Sequence, residues 1–373
     1  MINVVGLALY GPLAASTRYR LGQYVPGLRQ YGVNLQVKDL LGDEYLRRRF
    51  SAQGTPWTAL ASSALARLRV LRETGVWDAA ILYAELFPLM PGWIERGLLP
   101  WPYIYDFDDA FYLKYRTGRL AVTAPLLGDK VATLVAGAAA VTSGNETLAA
   151  YARVRNQNTH LLPTVVDTIR YTPSTRGQNA VFTVGWIGSP STAPYLAELV
   201  GPLEQLALDT AVKLVVIGGK APLVPGVSVE EVEWNEQTEV ALINGFDVGV
   251  MPLPDDDWAR GKCAFKLIQY MACGVPVVAS RVGANVDVVQ PDCGILASTP
   301  DEWLAALRRL RDSAATRGQM GEAGRARVDE HYSLSKNLPI LADVIRQVGG
   351  GASGSWKWRP TTPCPPRATG RAS

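Results

Sequence analysis

The chain has 373 residues, 48% of them hydrophobic and 19% charged, which fits a globular protein with room for two domains of about 150 to 200 residues each. Its formal net charge is only +3, and Lys357, Arg359, Arg367 and Arg371 after Val348 have no balancing acid, so the body is near neutral and no nucleic-acid partner is expected. Cys263, Cys273, Cys293 and Cys364 are too scattered for a metal knuckle or a disulfide framework.

These features set the expected compartment. No stretch approaches the roughly 20 apolar residues of a membrane span, and the N-terminus lacks a basic region ahead of its apolar run. The expectation is a soluble protein of the reducing cytoplasm, at most peripheral on the inner membrane face.

In chain order, "INVVGLAL" predicts a first strand, and "TRYRLGQYVPGLRQYG" has helical periodicity up to its closing glycine. Strand-like "VNLQVKDL", "DAAILYAEL" and "PYIYDFDD" follow, then a helix near residues 130 to 137, "AAVTSGN", a helix from Glu146, and "THLLP". This strand–helix alternation predicts a doubly wound parallel sheet over residues 1–167. After a polar linker at 168–180 the pattern restarts with "VFTVGWIGS". A helix near 193 to 208, "VKLVVIGG", "VSVEEVEW", a helix near 237 to 244, "FDVGVMPL", a helix, "VPVVAS" and "CGILA" then build a second α/β unit ending at 331. A helix at 332–348 has the option of crossing back to the first unit, and the Gly-, Pro- and Ser-rich tail at 349–373 is expected to be disordered.

Two such sheets facing each other form a cleft at the carboxyl ends of their strands. Strand-to-helix turns there are the places to seek anion-binding groups. "GWIGSPST", residues 185 to 192, supplies Gly188 and Ser189 directly after a strand, without the third glycine of a dinucleotide fingerprint or the Gly-Lys-Ser/Thr of a P-loop. Lys262 and Lys266 lie four apart at the N-terminal entrance of the helix after "FDVGVMPL", where the dipole disfavours cations. An anionic ligand relieves them; the alternative is that Asp255, Asp256 and Asp257 do so.

The run "DDDWARGKCAFKLIQYMACGVPVVASRVGANVDVV" resembles the donor-sugar-binding region of retaining glycosyltransferases of the GT-B fold, glycosyltransferase family 4. "GWIGSPSTAPYL", "FDVGVMPL", "VTSGNETLAAYA" and "LLPTVVDTIRY" extend the resemblance over residues 1 to about 347. It implies two Rossmann-like domains: an N-terminal one for the acceptor and a C-terminal one for a nucleoside diphosphate sugar. It further implies that Lys262 and Lys266 stabilise the departing diphosphate, with the backbone around Gly188 and Ser189 completing the clamp. Transfer of a hexose or modified hexose to a glycan or lipid-linked acceptor, with retention, is the implied reaction. Rival readings are a nucleotide-sugar 2-epimerase of the same architecture and an inactive nucleotide-sugar-binding partner in glycan assembly.

The chain departs from the family pattern at two places. Of two glutamates usually eight positions apart, the first is Gly261 and the second, which grips the nucleoside ribose, is Gln269. Neither His160 nor His331 falls where relatives carry a histidine near the donor sugar; "IYDFDDAFY" stands there, with Asp106, Asp108 and Asp109 expected at the cleft mouth. Asp109, then Asp108, is expected to hydrogen-bond the acceptor hydroxyl or donor sugar; a capping cluster is the alternative. The Asp-x-Asp spacing matches a metal motif of a different glycosyltransferase fold, but GT-B enzymes generally need no metal, so neither metal nor cofactor is expected.

On the acceptor side the candidates are Ser16, Thr17 and Arg18, with Ser16 or Thr17 as a plain N-cap the alternative, and Glu85 at a strand end. Arg47, Arg48, Arg49, Arg67, Arg69 and Arg72, with Phe50 and Trp57, read either as a solvated face or as a docking surface for an anionic membrane.

Overall fold

The computed structural model describes residues 1–51, 54, 56–174 and 179–350. Most of the expected tail, from residue 351, and residues 175–178 of the expected linker lie outside them. Twelve strands among the described residues form two parallel six-stranded sheets. The first contains β1 (Ile2–Tyr10), β2 (Val33–Leu41), β3 (Ala79–Tyr83), β4 (Tyr103–Phe107), β5 (Ala140–Ser143) and β6 (Thr159–Leu161), in the order β2-β1-β3-β4-β5-β6. The second contains β7 (Phe182–Ile187), β8 (Val212–Ile217), β9 (Ser228–Val232), β10 (Val248–Met251), β11 (Val277–Ser280) and β12 (Gly294–Ala297), in the order β12-β11-β10-β7-β8-β9.

Every residue of β3, β4, β5, β7, β10 and β11 is buried, as parallel strands covered by helices on both faces must be. The strand order reverses between β1 and β3 in one sheet and between β7 and β10 in the other. Crevices at such reversals, beyond the carboxyl ends of the strands, are where doubly wound sheets receive ligands. Gly188 follows β7 at one reversal, Glu85 follows β3 at the other, and Asp108 follows the neighbouring β4.

The long helical run expected after β1 is broken. Helix Ala15–Arg20 gives way to a 3-10 turn at Gly22–Tyr24, a short helix at Val25–Leu28 and a second 3-10 turn at Arg29–Tyr31. Pro26 has no N–H to continue the ladder, and Gly32 closes the run in the left-handed region at φ 73°. A Cβ at Gly27 would run into the Leu338 side chain, so this glycine admits the C-terminal helix. That helix, Leu334–Gly349, buries Leu338, Leu341, Ala342, Val344 and Ile345 in the same core as Val4, Ile81 and Ile104 of the first sheet. The chain thus returns to its N-terminal half. Its two crossings run side by side: Val166 N–H donates to Tyr332 O at 3.1 Å, and Leu334 N–H to Val166 O at 2.8 Å.

Among the described residues no single helix is long and apolar enough to cross a membrane. Cys263, Cys273 and Cys293 are buried.

Candidate active site

The C-terminal half contributes a turn and a pair of lysines. After β7, Gly188 N–H donates to Ile217 O at 3.0 Å, and the Ser189 and Ser191 hydroxyls lie 2.8 Å apart. A Cβ at Gly188 would overlap the Trp186 ring and come within 2.9 Å of Lys266 Cε, so the glycine lets the lysine stem lie over this turn. Lys266 is the second residue of helix Phe265–Ala272, and the Ala264 backbone before it is left-handed at φ 52°. A residue with a Cβ is strained there, and such strain gathers where a segment must be aimed.

Lys266 is half-buried. Burial, and then the Lys262 ammonium, push its pKa from the ordinary lysine value down to about 8. Among the described residues it has no ion pair and no hydrogen bond; its ammonium lies 5.6 Å from the Trp186 ring centroid. The upstream aspartates do not relieve it. Asp255 and Asp257 pair with Arg260 at 2.8 and 3.2 Å, and Asp256 accepts the Ala259 N–H at 2.7 Å as a helix cap. Lys262 differs from Lys266, since its ammonium faces Asp109 Oδ2 of the other half at 3.4 Å.

The three N-terminal aspartates have three different environments. Asp106, expected at the cleft mouth, is instead buried: Arg20 grips both its oxygens, with Nε at 3.0 Å from Oδ2, and Thr142 donates to Oδ1 at 2.6 Å. It anchors helix Ala15–Arg20 to the sheet. Asp108 accepts from the Tyr83 hydroxyl at 2.6 Å and the Thr164 hydroxyl at 3.1 Å, one on each carboxylate oxygen. Burial and the Asp108 charge hold the Tyr83 hydroxyl well above its usual pKa, so it remains a donor. Asp109 accepts the Ala110 N–H at 3.0 Å and faces Lys262 with its other oxygen. Burial raises the Asp109 carboxyl above its ordinary pKa despite Lys262. The structure therefore brings Asp108, Asp109, Lys262, Lys266 and Gly188 to one cleft.

The remaining candidates are placed less openly. Ser16 lies against the Tyr83 hydroxyl, Thr17 is buried and donates to Tyr10 O at 2.8 Å, and Arg18 donates to Pro12 O and Leu13 O, both at 2.8 Å. The N-cap of this helix is Ala14 with no side-chain bond, so neither Ser16 nor Thr17 acts as a cap. The Arg18 guanidinium also lies over the Trp234 ring of the C-terminal half, 4.4 Å from its centroid.

Glu85 does not open to the rim. It is 5% exposed, ion-paired to Lys114 and, at 2.7 Å, to Lys130, and accepts from the Tyr115 hydroxyl at 2.8 Å. Gln269 is 4% exposed and donates to the Tyr171 hydroxyl at 2.9 Å. That hydroxyl lies 2.6 Å from the Tyr19 hydroxyl and 2.7 Å from Glu239 Oε1, so the amide nitrogen is engaged in a buried network joining the two halves. In the arginine-rich region Arg67 is buried under Ala8 O and Lys38 O, whereas Arg47, Arg49, Arg69 and Arg72 are exposed. The Phe50 side chain lies outside the described part. His160 contacts Asn158 at 2.9 Å and His331 faces Glu330 at 3.5 Å, both away from the cleft.

Sequence reasoning missed Arg20, Tyr83, Asn145 and the Tyr19–Tyr171–Glu239 set. Tyrosines inside apolar runs read as core, and nothing in the one-dimensional pattern tells which hydroxyl meets a carboxylate. Asn145 left one signal, an asparagine between a strand end and a helix start in "TSGNET".

Two Rossmann-like halves facing across a cleft, with strand reversals on both sides, make this a GT-B protein. Residues 178–313 match the family described as "Glycosyl transferases group 1". Among curated proteins, the MMP alpha-(1->4)-mannosyltransferase of Mycolicibacterium hassiacum is 26% identical over 196 residues, 48% of this chain and 46% of the relative. This chain thus matches a little under half the length of that relative. Among solved structures, a sucrose-phosphate synthase from Thermosynechococcus elongatus superposes with a TM-score of 0.69 at 14% identity, over 94% of this chain and 100% of that one. Anabaena HepE in complex with UDP and glucose superposes with a TM-score of 0.67 at 12% identity, over 92% and 99%. At these identities the two structures speak for the fold.

Proposed function

We infer that the protein is a retaining glycosyltransferase, of the family 4 type, that moves a hexose or modified hexose from a nucleoside diphosphate sugar to a hydroxyl of a glycan or lipid-linked acceptor. The observation that carries this reading is Lys266, an ammonium without a carboxylate partner, resting over the Gly188 turn at the carboxyl end of β7. A partly desolvated cation with no carboxylate in ion-pair contact is costly to the fold and selects an anion of matching shape. A diphosphate lying across Gly188 and Ser189 supplies that anion. The family match at residues 178–313 and the UDP held by the Anabaena structure support the same assignment.

In the reaction, the bond between the anomeric carbon and the diphosphate oxygen breaks, and a bond from that carbon to the acceptor oxygen forms on the same face. The acceptor proton passes to the departing diphosphate. Lys266 and Lys262 stabilise the negative charge that grows on the leaving group, an effect strongest in a site that excludes water. Asp109, with its raised pKa, and Asp108, aimed by Tyr83 and Thr164, are positioned to orient hydroxyls of acceptor or donor sugar. No metal and no cofactor enters this scheme. The reading places the protein in the cytoplasm, with the exposed Arg47, Arg49, Arg69, Arg72 and Trp57 as its surface toward an anionic membrane.

The test is incubation with a panel of nucleotide sugars, with and without acceptor extracts, while nucleoside diphosphate release is assayed. Acceptor-dependent release supports transfer. Release or sugar isomerisation without acceptor indicates an epimerase, and binding without turnover indicates a non-catalytic partner; either overturns the assignment.

A further inference from the structure

One of the places where the two halves touch is the segment that carries the lysines, and there one side chain makes two hydrogen bonds across. Asn145 follows β5 and caps helix Glu146–Arg153, its Oδ1 accepting the Leu148 N–H at 2.8 Å. Its Nδ2 crosses the cleft and donates to Gly261 O at 2.9 Å and Lys262 O at 3.0 Å. The carboxamide is 5% exposed, and both of its ends are engaged. Glycines on either side make the approach close enough. A Cβ at Gly144 would overlap the Cys263 sulfur, and one at Gly261 would come within 2.6 Å of Ala110 Cβ. The Cys263 thiol donates to Asp108 O at 3.0 Å, and Lys262 faces Asp109.

We propose that Asn145 is a positioning residue for the donor-binding lysines. Its carboxamide draws the 261–263 segment against the N-terminal half, so that closing the cleft and aiming Lys262 and Lys266 become one event. The strained Ala264 backbone between the two lysines gives the segment a reason to need such a hold. An asparagine suits the task because one amide offers an acceptor to the helix and two donors to the facing carbonyls. The catalytic meaning of this hold rests on the glycosyltransferase reading above; the hold itself does not.

Cys263 offers a readout that needs no substrate, because it sits behind the contact. Burial, then the nearby Asp108 charge, keep its thiol well above the usual pKa, so it alkylates slowly while the halves are closed. Asn145→Ser preserves a good helix cap without a new charge, but its side chain is too short to reach Gly261 O and Lys262 O. Labelling of the Cys263 peptide by N-ethylmaleimide, followed by mass spectrometry, is expected to speed up about tenfold in this variant, as loss of two ordinary hydrogen bonds implies. Gly261→Ala, which wedges the same contact without touching Asn145, is expected to do likewise. Inorganic pyrophosphate should slow labelling in the wild type, and the concentration for half-protection should rise in Asn145→Ser.

Wild-type labelling rates and pyrophosphate protection in Asn145→Ser overturn the proposal, whatever the activity. Faster labelling with weaker protection supports it even if no nucleotide sugar is turned over, a result that would count only against the glycosyltransferase reading.

Discussion

The two halves share a doubly wound sheet but treat charge at the cleft in opposite ways. In the N-terminal half four carboxylates are answered from within: Asp106 by Arg20, Asp108 by two hydroxyls, and Glu85 and Glu95 by Lys130. In the C-terminal half Lys266 is left without a carboxylate. A satisfied network fixes geometry, whereas an unsatisfied ammonium stores affinity for a ligand. The contrast assigns orientation to one half and electrostatic stabilisation to the other, and substitutions on the two sides should fail differently.

The largest expected effect is on stability in the N-terminal half. Arg20→Ala leaves Asp106 buried and unpaired, and denaturant unfolding should show a loss of about 3–5 kcal/mol. Lys266→Ala should leave the unfolding midpoint at or above wild type while turnover falls by about two to three orders of magnitude, as loss of a preorganised charge does. Equal losses of stability in both variants would erase the contrast. Lys262→Ala should cost less turnover than Lys266→Ala, because Lys262 already has Asp109 as a partner.

Asp109→Asn sharpens the comparison, since it frees Lys262 and removes one orienting carboxylate. Transfer should drop by about one to two orders of magnitude, with nucleoside diphosphate affinity kept or improved in calorimetric titration. Parallel loss of both would make Asp109 a structural cap. For Gln269→Ala the cost should appear in stability, about 1 kcal/mol for the lost bond to Tyr171, and 2′-deoxy and ordinary nucleoside diphosphates should bind in the same ratio as to wild type. A changed ratio would return Gln269 to the ribose. The smallest expected effect is none: turnover should survive EDTA.

The fold was legible because parallel strands covered on both faces are unbroken apolar runs, as in "AAILY" and "VVAS", and short turns separate them. The segment after β1 was misread as one helix, since apolar periodicity outweighed Pro26 and the glycines at 22 and 27. In the site, the lysines stood out as cations at the entrance of an apolar helix. Asp106 looked equivalent to Asp108 and Asp109, yet only the fold shows that Arg20, 86 positions earlier, claims it. Glu85 was misjudged for the same reason, its lysines lying 29 and 45 positions away. Pairing between distant charges is set by topology, and one sequence does not disclose it.

The most direct test of the unpaired lysine follows its proton. Because the folded pKa of Lys266 is about 8, below the ordinary 10.5, the ligand-free protein should gain stability from this group as pH rises from about 8 toward 10.5. A bound diphosphate favours the ammonium and raises that pKa. Pyrophosphate titrated calorimetrically at pH 8 to 9, in buffers of different ionisation enthalpy, should bind wild type with proton uptake, and its affinity should weaken as pH climbs above 8. In Lys266→Ala the uptake should fall to what the pyrophosphate alone contributes, and affinity should drop at every pH. Identical proton uptake and affinity in the two proteins would contradict the account, because Lys266 would then not be the group that meets the diphosphate.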